Sequence, residues 1–102
     1  MLLVESDPEF RVVVGRALRS AGFAVTEVSR IAEIVRWPSG QIVMTDRAHF
    51  SPWWKHIGAT HVVVFVDTEA DGLEIAASGA IWVLREEVLR DWGVSVACEP
   101  VP

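Results

Sequence analysis

Acidic and polar side chains follow four apolar runs of the sequence, at the point where each run ends. They are Glu5-Ser6-Asp7 after residues 1–4, Asp46 after residues 41–45, Asp67-Thr68 after residues 61–66 and Arg85 after residues 80–84. Carboxylates grouped in this way are hard oxygen ligands suited to Mg²⁺. A metal held by them would position a phosphoryl group and neutralise its charge during transfer.

Each of these residues also has a purely structural interpretation. Asp, Ser and Thr are common after strands because their side chains cap the next helix. Capping is the favoured explanation for Asp7, and it is as good as a site role for Asp67 and Thr68. Asp46 precedes no recognisable helix, so we expect capping to explain it less well. Arg85 is more often a solvated charge than a ligand clamp.

The elements that must position these residues alternate between two types. The predicted strands cover residues 1–4, 23–28, 41–45, 61–66 and 80–84, and the predicted helices cover residues 8–21, 29–35, 51–57, 71–78 and 85–92. Such alternation predicts an α/β fold with a parallel sheet and helices on both faces. If the first strand lies between the second and third, the order is 2-1-3-4-5, and the polar residues converge on one crevice at the carboxyl ends.

Length and composition indicate one small domain. The chain has 102 residues, and we expect a domain over residues 1–93 followed by a tail over residues 94–102. The net charge of -5 and the lack of clustered Lys and Arg disfavour direct binding of nucleic acid. Cys98 is the only cysteine, which excludes an intrachain disulfide and suits a reducing compartment. No run of about 18 apolar residues occurs, so we expect a cytoplasmic protein without a membrane span or secretory signal.

Four segments carry a resemblance to a known family. They are Val4-Glu5-Ser6-Asp7-Pro8, residues 10–23 with Phe10-Arg11 and Arg16 to Phe23, Ile42-Val43-Met44-Thr45-Asp46, and Ala76-Ala77-Ser78-Gly79-Ala80. In this order and spacing, residues 1–92 resemble the receiver domain of two-component response regulators. The resemblance implies a flavodoxin-like, doubly wound, five-stranded parallel sheet. It also implies that Asp46 is the phosphoacceptor and that Glu5, Asp7 and Asp46 are the metal ligands.

Three positions depart from the family pattern. Ser6 stands where the family has a second acidic residue, and Arg85 stands where it has a Lys. Asp67 stands where the family has a Ser or Thr hydroxyl, and Thr68 is one position further on. Losing a carboxylate weakens metal binding, an added carboxylate repels phosphoryl oxygens, and Arg does not replace the point charge of Lys. We therefore expect both Mg²⁺ binding and phosphorylation of Asp46 to be weak or absent.

Two signalling hypotheses follow from the resemblance. The first is an atypical receiver that is not an enzyme and works by protein–protein contact, with a histidine kinase or a downstream signalling protein as partner. Its expected contact residues are Trp82, Leu89 and Trp92, and a homodimer would cover a sheet that the short last helix leaves open. The alternative is a working Mg²⁺-dependent phosphoacceptor. In it, Asp46 is the nucleophile, Glu5 and Asp7 hold the metal, and Thr68 and Arg85 supply the hydroxyl and the cation.

A small enzyme or nucleotide-binding domain is the third hypothesis, and it has less support. The sequence lacks Gly-x-Gly-x-x-Gly after the first strand and lacks a Walker-type loop. His49, His56 and His61 lack metal-ligand spacing, and Cys98 has no paired base in sequence. The adjacent Trp53 and Trp54 cannot both face one interior, so we expect one of them at the surface.

Overall fold

A single parallel sheet organises the chain in the computed structural model, which describes residues 1–36, 39–51 and 53–93. Its strands are β1 (Leu2–Val4), β2 (Thr26–Val28), β3 (Ile42–Asp46), β4 (His61–Val66) and β5 (Ile81–Leu84), and the helices are α1 (Pro8–Ser20), α2 (Trp53–His56), α3 (Glu69–Ala77) and α4 (Arg85–Val88). The described strands pair in the order β2-β1-β3-β4-β5, all parallel. The predicted flavodoxin-like order 2-1-3-4-5 is therefore confirmed.

Local signals define α1 at both ends, as the sequence predicts. The Asp7 side chain accepts hydrogen bonds from the backbone N–H groups of Glu9 and Phe10, and Pro8 occupies the first helical position. Gly22, just beyond the helix, has φ 97°, a conformation that side-chain-bearing residues avoid. Local residues therefore define both ends of the helix that connects β1 to β2.

The sheet separates two apolar cores. On one face, α1 and α4 pack on alternate strand residues, in a cluster of Leu3, Phe10, Val14, Leu18, Met44, Phe65 and Val88. On the other, α2 and α3 contribute Trp54 and Ile75 to a cluster that includes Leu2, Val4, Val43, Val62, Val64 and Val66. Helices thus cover both faces, as expected for a parallel sheet.

Helical cover thins toward β5 on the α1 face. Leu3, Met44, Val63 and Ile81 form one row of register partners across β1, β3, β4 and β5. Leu3 and Met44 are buried, Val63 is partly buried, and Ile81 is 51% exposed. The last helix is short: after α4 the backbone widens into a π-type turn over Leu89–Gly93, which packs against α1.

The segment after β2 departs from the prediction. A helix was expected over residues 29–35 with Ile31, Ile34 and Val35 facing inward, but only a 3₁₀ turn over Ile31–Glu33 forms. Ser29 does not cap it; its hydroxyl instead donates a hydrogen bond to the Glu33 carboxylate. Without a cap the turn does not propagate, and Val35 is fully exposed. The strand before it, β2, has three residues rather than the six predicted.

Other predicted boundaries shift by one or two residues. Helix α3 starts at Glu69 rather than Asp71, because the Thr68 hydroxyl caps it by accepting from the Asp71 N–H. The predicted tail over residues 94–102, with Cys98, lies outside the described residues, as do Pro52 and the Trp37-Pro38 break. Among the described residues, no helix is long and apolar enough to cross a membrane.

Candidate functional site

The loops after β1, β3, β4 and β5 meet at the carboxyl edge of the sheet. Ser6 contacts Asp46, and Arg85 contacts both Glu5 and Asp67. The predicted convergence of these residues is therefore observed. Their contacts form two clusters, one around Asp46 and one around Arg85, which lie close enough that the Asp46 carboxylate raises the pKa of Glu5.

Asp46 is a buried carboxylate whose accepting capacity is filled. Its side chain is nearly inaccessible, and the residue as a whole is 2% exposed. Oδ2 accepts from the Ser6 N–H and the Ser6 hydroxyl, each at 2.9 Å, and Oδ1 accepts from the His49 N–H at 2.9 Å. The imidazole Nδ1 of His49 lies 2.6 Å from the same Oδ1. A carboxylate offers about four lone-pair sites, so these contacts leave none for an incoming group.

These hydrogen bonds also set the protonation state of Asp46. Burial alone would raise its pKa, but the hydrogen bonds from Ser6 and His49 outweigh burial and hold the pKa below its ordinary value. Asp46 is therefore ionised at neutral pH. Because an ionised carboxylate only accepts, Nδ1 of His49 must carry the hydrogen.

Asp46 also has a capping role. Capping was expected to explain Asp46 less well than the other residues, yet its side chain caps the 3₁₀ turn over Arg47–His49 that follows β3. The turn brings His49 back over the carboxylate, and the His49 carbonyl accepts from Nε1 of the buried Trp54 at 3.1 Å. Asp46, His49 and Trp54 thus form one connected polar chain into the α2 side of the fold.

Glu5 and Arg85 form the second cluster. Glu5 is 0% exposed, and its two carboxylate oxygens accept from two nitrogens of Arg85: Nη1 donates to Oε1, and Nη2 lies 3.1 Å from Oε2. The guanidinium carbon lies 4.6 Å from the ring centroid of Phe10. A bidentate pair with a cation–π contact is the geometry that favours Arg over Lys.

Burial raises the pKa of the Glu5 carboxyl above its ordinary value. The hydrogen bond and charge of Arg85 oppose this rise, and the negative charge of Asp46 adds to it. A second cation lies nearby, since Nη1 of Arg11 donates to the Glu5 carbonyl at 2.7 Å. The polypeptide at Glu5 is therefore held between two guanidinium groups.

Two of the remaining predicted site residues cap helices, and the third joins the Arg85 cluster. Asp7 caps α1. Asp67 is exposed, and its Oδ1 lies 3.6 Å from Nε of Arg85. Thr68 caps α3. The capping interpretation of Asp7 and Thr68 therefore matches their hydrogen bonds, and Asp67 extends the Arg85 cluster.

The donor set does not fit a divalent metal. Glu5 is occupied by Arg85, Asp46 by Ser6 and His49, and Asp7 by the start of α1. Across the described ranges, no three His, Cys, Asp or Glu side chains are grouped so that they could hold a metal ion. No buried side-chain nitrogen or oxygen in the same ranges lacks a partner. A Mg²⁺ ion would have to break existing bonds to gain Glu5 or Asp46 as a ligand.

The predicted contact residues differ in exposure. Leu89 is 49% exposed. Trp82 and Trp92 are partly buried, Trp82 against the α3 core and Trp92 against the α1 core. The tryptophan pair on α2 divides as expected: Trp54 is buried and Trp53 is exposed.

Sequence reasoning missed two contributors to the site. His49 was expected in a surface or loop role. It lies three residues after Asp46, which is the spacing at which a capping side chain accepts a hydrogen bond from a backbone N–H. Phe10 was recognised as a core residue, but no sequence pattern indicates that Arg85 would stack on it.

No family model, curated protein or solved structure matches this chain.

Proposed function

We propose that this chain is a receiver-like signalling module that acts by protein–protein contact and does not transfer a phosphoryl group to Asp46. It would work in the cytoplasm as a non-enzymatic component of a two-component system. Its partner would be a histidine kinase, a downstream signalling protein or a second copy of the chain. Support comes from the fold class, from the residues that resemble a receiver domain and from the state of Asp46.

The observation that carries the proposal is the saturated carboxylate of Asp46. A phosphoacceptor needs an accessible oxygen as nucleophile and a cation beside it to neutralise the incoming charge. Asp46 is 2% exposed, both its oxygens accept two contacts, and its nearest partners are Ser6 and His49. Attack from Oδ2 would first require breaking both hydrogen bonds to Ser6, and attack from Oδ1 would require breaking both contacts to His49.

A contact function is supported by exposed apolar side chains around β5. Leu73 on α3 is 68% exposed, Ile81 on β5 is 51% exposed, and Leu89 follows α4. These elements flank the edge where helical cover of the sheet is thinnest. Exposed apolar side chains such as these are available for contact with a partner.

Phosphorylation is tested by intact-protein mass after incubation with acetyl phosphate and Mg²⁺, with Asp46→Asn as the control. We expect no phosphate-sized mass gain in either protein while both remain folded by circular dichroism. A gain in the parent protein that is absent from Asp46→Asn would refute the proposal and establish the phosphoacceptor alternative.

Contact through the β5 edge is tested by light scattering of the full chain and of Ile81→Glu and Leu89→Glu. Val12→Glu is the matched control, because Val12 is an exposed apolar residue on α1. If a second copy is the partner, the parent is a dimer, the two edge variants are monomers and Val12→Glu stays dimeric. A monomeric parent would leave a different protein as the partner, and a dimer unaffected by both edge variants would move the interface elsewhere.

A further inference from the structure

We propose that the Arg85 guanidinium is a resident cation that replaces a divalent metal at the carboxyl edge and makes this edge insensitive to Mg²⁺. The inference concerns the electrostatics of the Glu5–Arg85 cluster, and it holds whether or not the chain is a signalling module.

Arg85 already occupies the carboxylate that a metal ion would need. Both oxygens of Glu5 face nitrogens of Arg85, and Glu5 has no exposed surface through which a second cation could approach. A metal ion and the guanidinium therefore compete for the same two oxygens. The guanidinium has the advantage of being attached, because its side chain is already ordered over the Phe10 ring.

Glu5, Asp46 and Asp67 come from the ends of three neighbouring strands, so their negative charges lie on one edge. Arg85 contacts two of them, Glu5 through its Nη atoms and Asp67 through Nε at 3.6 Å. Asp46 is instead stabilised by the four contacts from Ser6 and His49. Neither Glu5 nor Asp46 is left with a free oxygen for a divalent ion, and the exposed Asp67 would offer it one carboxylate alone.

Arg85 is the first residue of α4, and its bond to Glu5 spans 80 positions of sequence. The guanidinium therefore joins the loops after β1 and β4 to the start of the last helix. A metal ion that bound and dissociated could change this linkage, but a covalently attached cation keeps it constant.

The test measures thermal unfolding by circular dichroism with and without Mg²⁺, using the parent chain and Arg85→Gln. Glutamine retains an amide donor for Glu5 but removes the charge. We expect no shift in the melting temperature of the parent in about 10 mM Mg²⁺. Arg85→Gln should melt lower than the parent without metal, and Mg²⁺ should raise its melting temperature by about 4 °C or more.

Three controls separate this effect from general screening of charge. Arg85→Lys keeps a cation beside Glu5 and should not respond to Mg²⁺. Arg85→Gln combined with Glu5→Gln removes the carboxylate as well and should lose the Mg²⁺ response. Arg47→Gln is the matched surface control, because Arg47 also pairs with two carboxylates, Asp71 at 2.8 Å and Glu74 at 2.7 Å, but in an exposed position.

Three results would overturn the inference. The parent chain could respond to Mg²⁺ as strongly as Arg85→Gln, which would show that the metal and Arg85 do not compete. Arg85→Gln could match the parent in stability with and without metal, which would show that the guanidinium charge is unimportant. Arg85→Gln could also be destabilised, or unfolded, without any recovery in Mg²⁺, which would reduce Arg85 to a hydrogen-bond donor.

Discussion

Gly72 on α3 lies directly over the indole ring of Trp82 on β5. A Cβ added at position 72 would lie 2.5 Å from Cε3 of Trp82, which is closer than real carbon contacts. Gly72 is buried, so the missing side chain is what lets α3 approach the sheet at this point. The close approach of α3 covers one face of the Trp82 ring, so Trp82 is partly buried although β5 is the last strand of the sheet.

Gly72→Ala should lower the free energy of unfolding by about 1–3 kcal/mol, because the ring or the helix must move to admit the methyl group. Urea unfolding followed by circular dichroism measures the change. Gly15→Ala is the matched control on α1: its Cβ would meet Oε2 of Glu27 at 2.6 Å, the far end of a flexible side chain. If both variants lost the same stability, the packing of α3 on Trp82 would not be the cause.

Asp46→Asn should destabilise the protein at neutral pH by about 2–3 kcal/mol, because it removes the charged acceptor for Ser6 and His49. The pKa of Asp46 lies below its ordinary value in the fold. The folded state thus binds fewer protons, and the stabilisation is present above the unfolded value of about 3.9. It is lost as the pH falls through the folded pKa.

Melting temperatures of the parent and Asp46→Asn between about pH 7 and pH 2 measure this dependence. The difference between them should be largest near neutral pH and shrink below about pH 4. Glu5 acts in the opposite direction, since its raised pKa makes its ionisation costly as the pH rises. Because the Asp46 charge helps to raise the Glu5 pKa, Asp46→Asn also lowers this cost, which offsets part of the difference at neutral pH. A difference that stayed constant to low pH would contradict the role assigned to the Asp46 charge.

Trp54→Leu should cost about 3 kcal/mol of stability, whereas Trp53→Leu should cost less than about 1 kcal/mol. Trp54 is buried and donates to the His49 carbonyl, but Trp53 on the same helix is exposed. Urea unfolding monitored by far-ultraviolet circular dichroism avoids the loss of a tryptophan signal. Equal losses for these adjacent residues would show that α2 does not orient them as described.

Asp7→Ala and Thr68→Ala should each cost about 1 kcal/mol, which is typical for loss of an N-cap. Asp7 accepts from the Glu9 and Phe10 N–H groups, and Thr68 accepts from that of Asp71. Asp7→Ser and Thr68→Ser should restore most of the stability, because serine also caps. If Asp7→Ser left the protein as unstable as Asp7→Ala, the carboxylate charge would matter beyond capping.

Parts of the fold with strong local signals could be predicted from the sequence. The start of α1 at Pro8 follows from a capping residue and a proline, and β4 covers the predicted residues 61–66 because it is an unbroken apolar run. The segment over residues 29–35 was predicted wrongly as a helix. Its apolar spacing suits a helix, but the Ser29 hydroxyl bonds to Glu33 and leaves the first turn uncapped.

The candidate site divides in the same way. That Glu5, Asp46, Asp67 and Arg85 would meet could be predicted, because the residues after parallel strands share one edge of the sheet. The contact of His49 with the Asp46 carboxylate could not be predicted, because the short 3₁₀ turn between these residues has no apolar periodicity.

The sequence by itself determined the alternation of strands and helices, the order of the polar residues along the chain and the edge on which they would lie. These follow from local periodicity and from residue types at the ends of runs. Only the tertiary structure decided which oxygen faces which nitrogen. Glu5 and Arg85 lie 80 positions apart, and their bidentate contact depends on how β1, β4 and β5 pack side by side and on the Phe10 ring beneath the guanidinium. Such distances are set by the packing of the whole sheet, which no short stretch of sequence encodes.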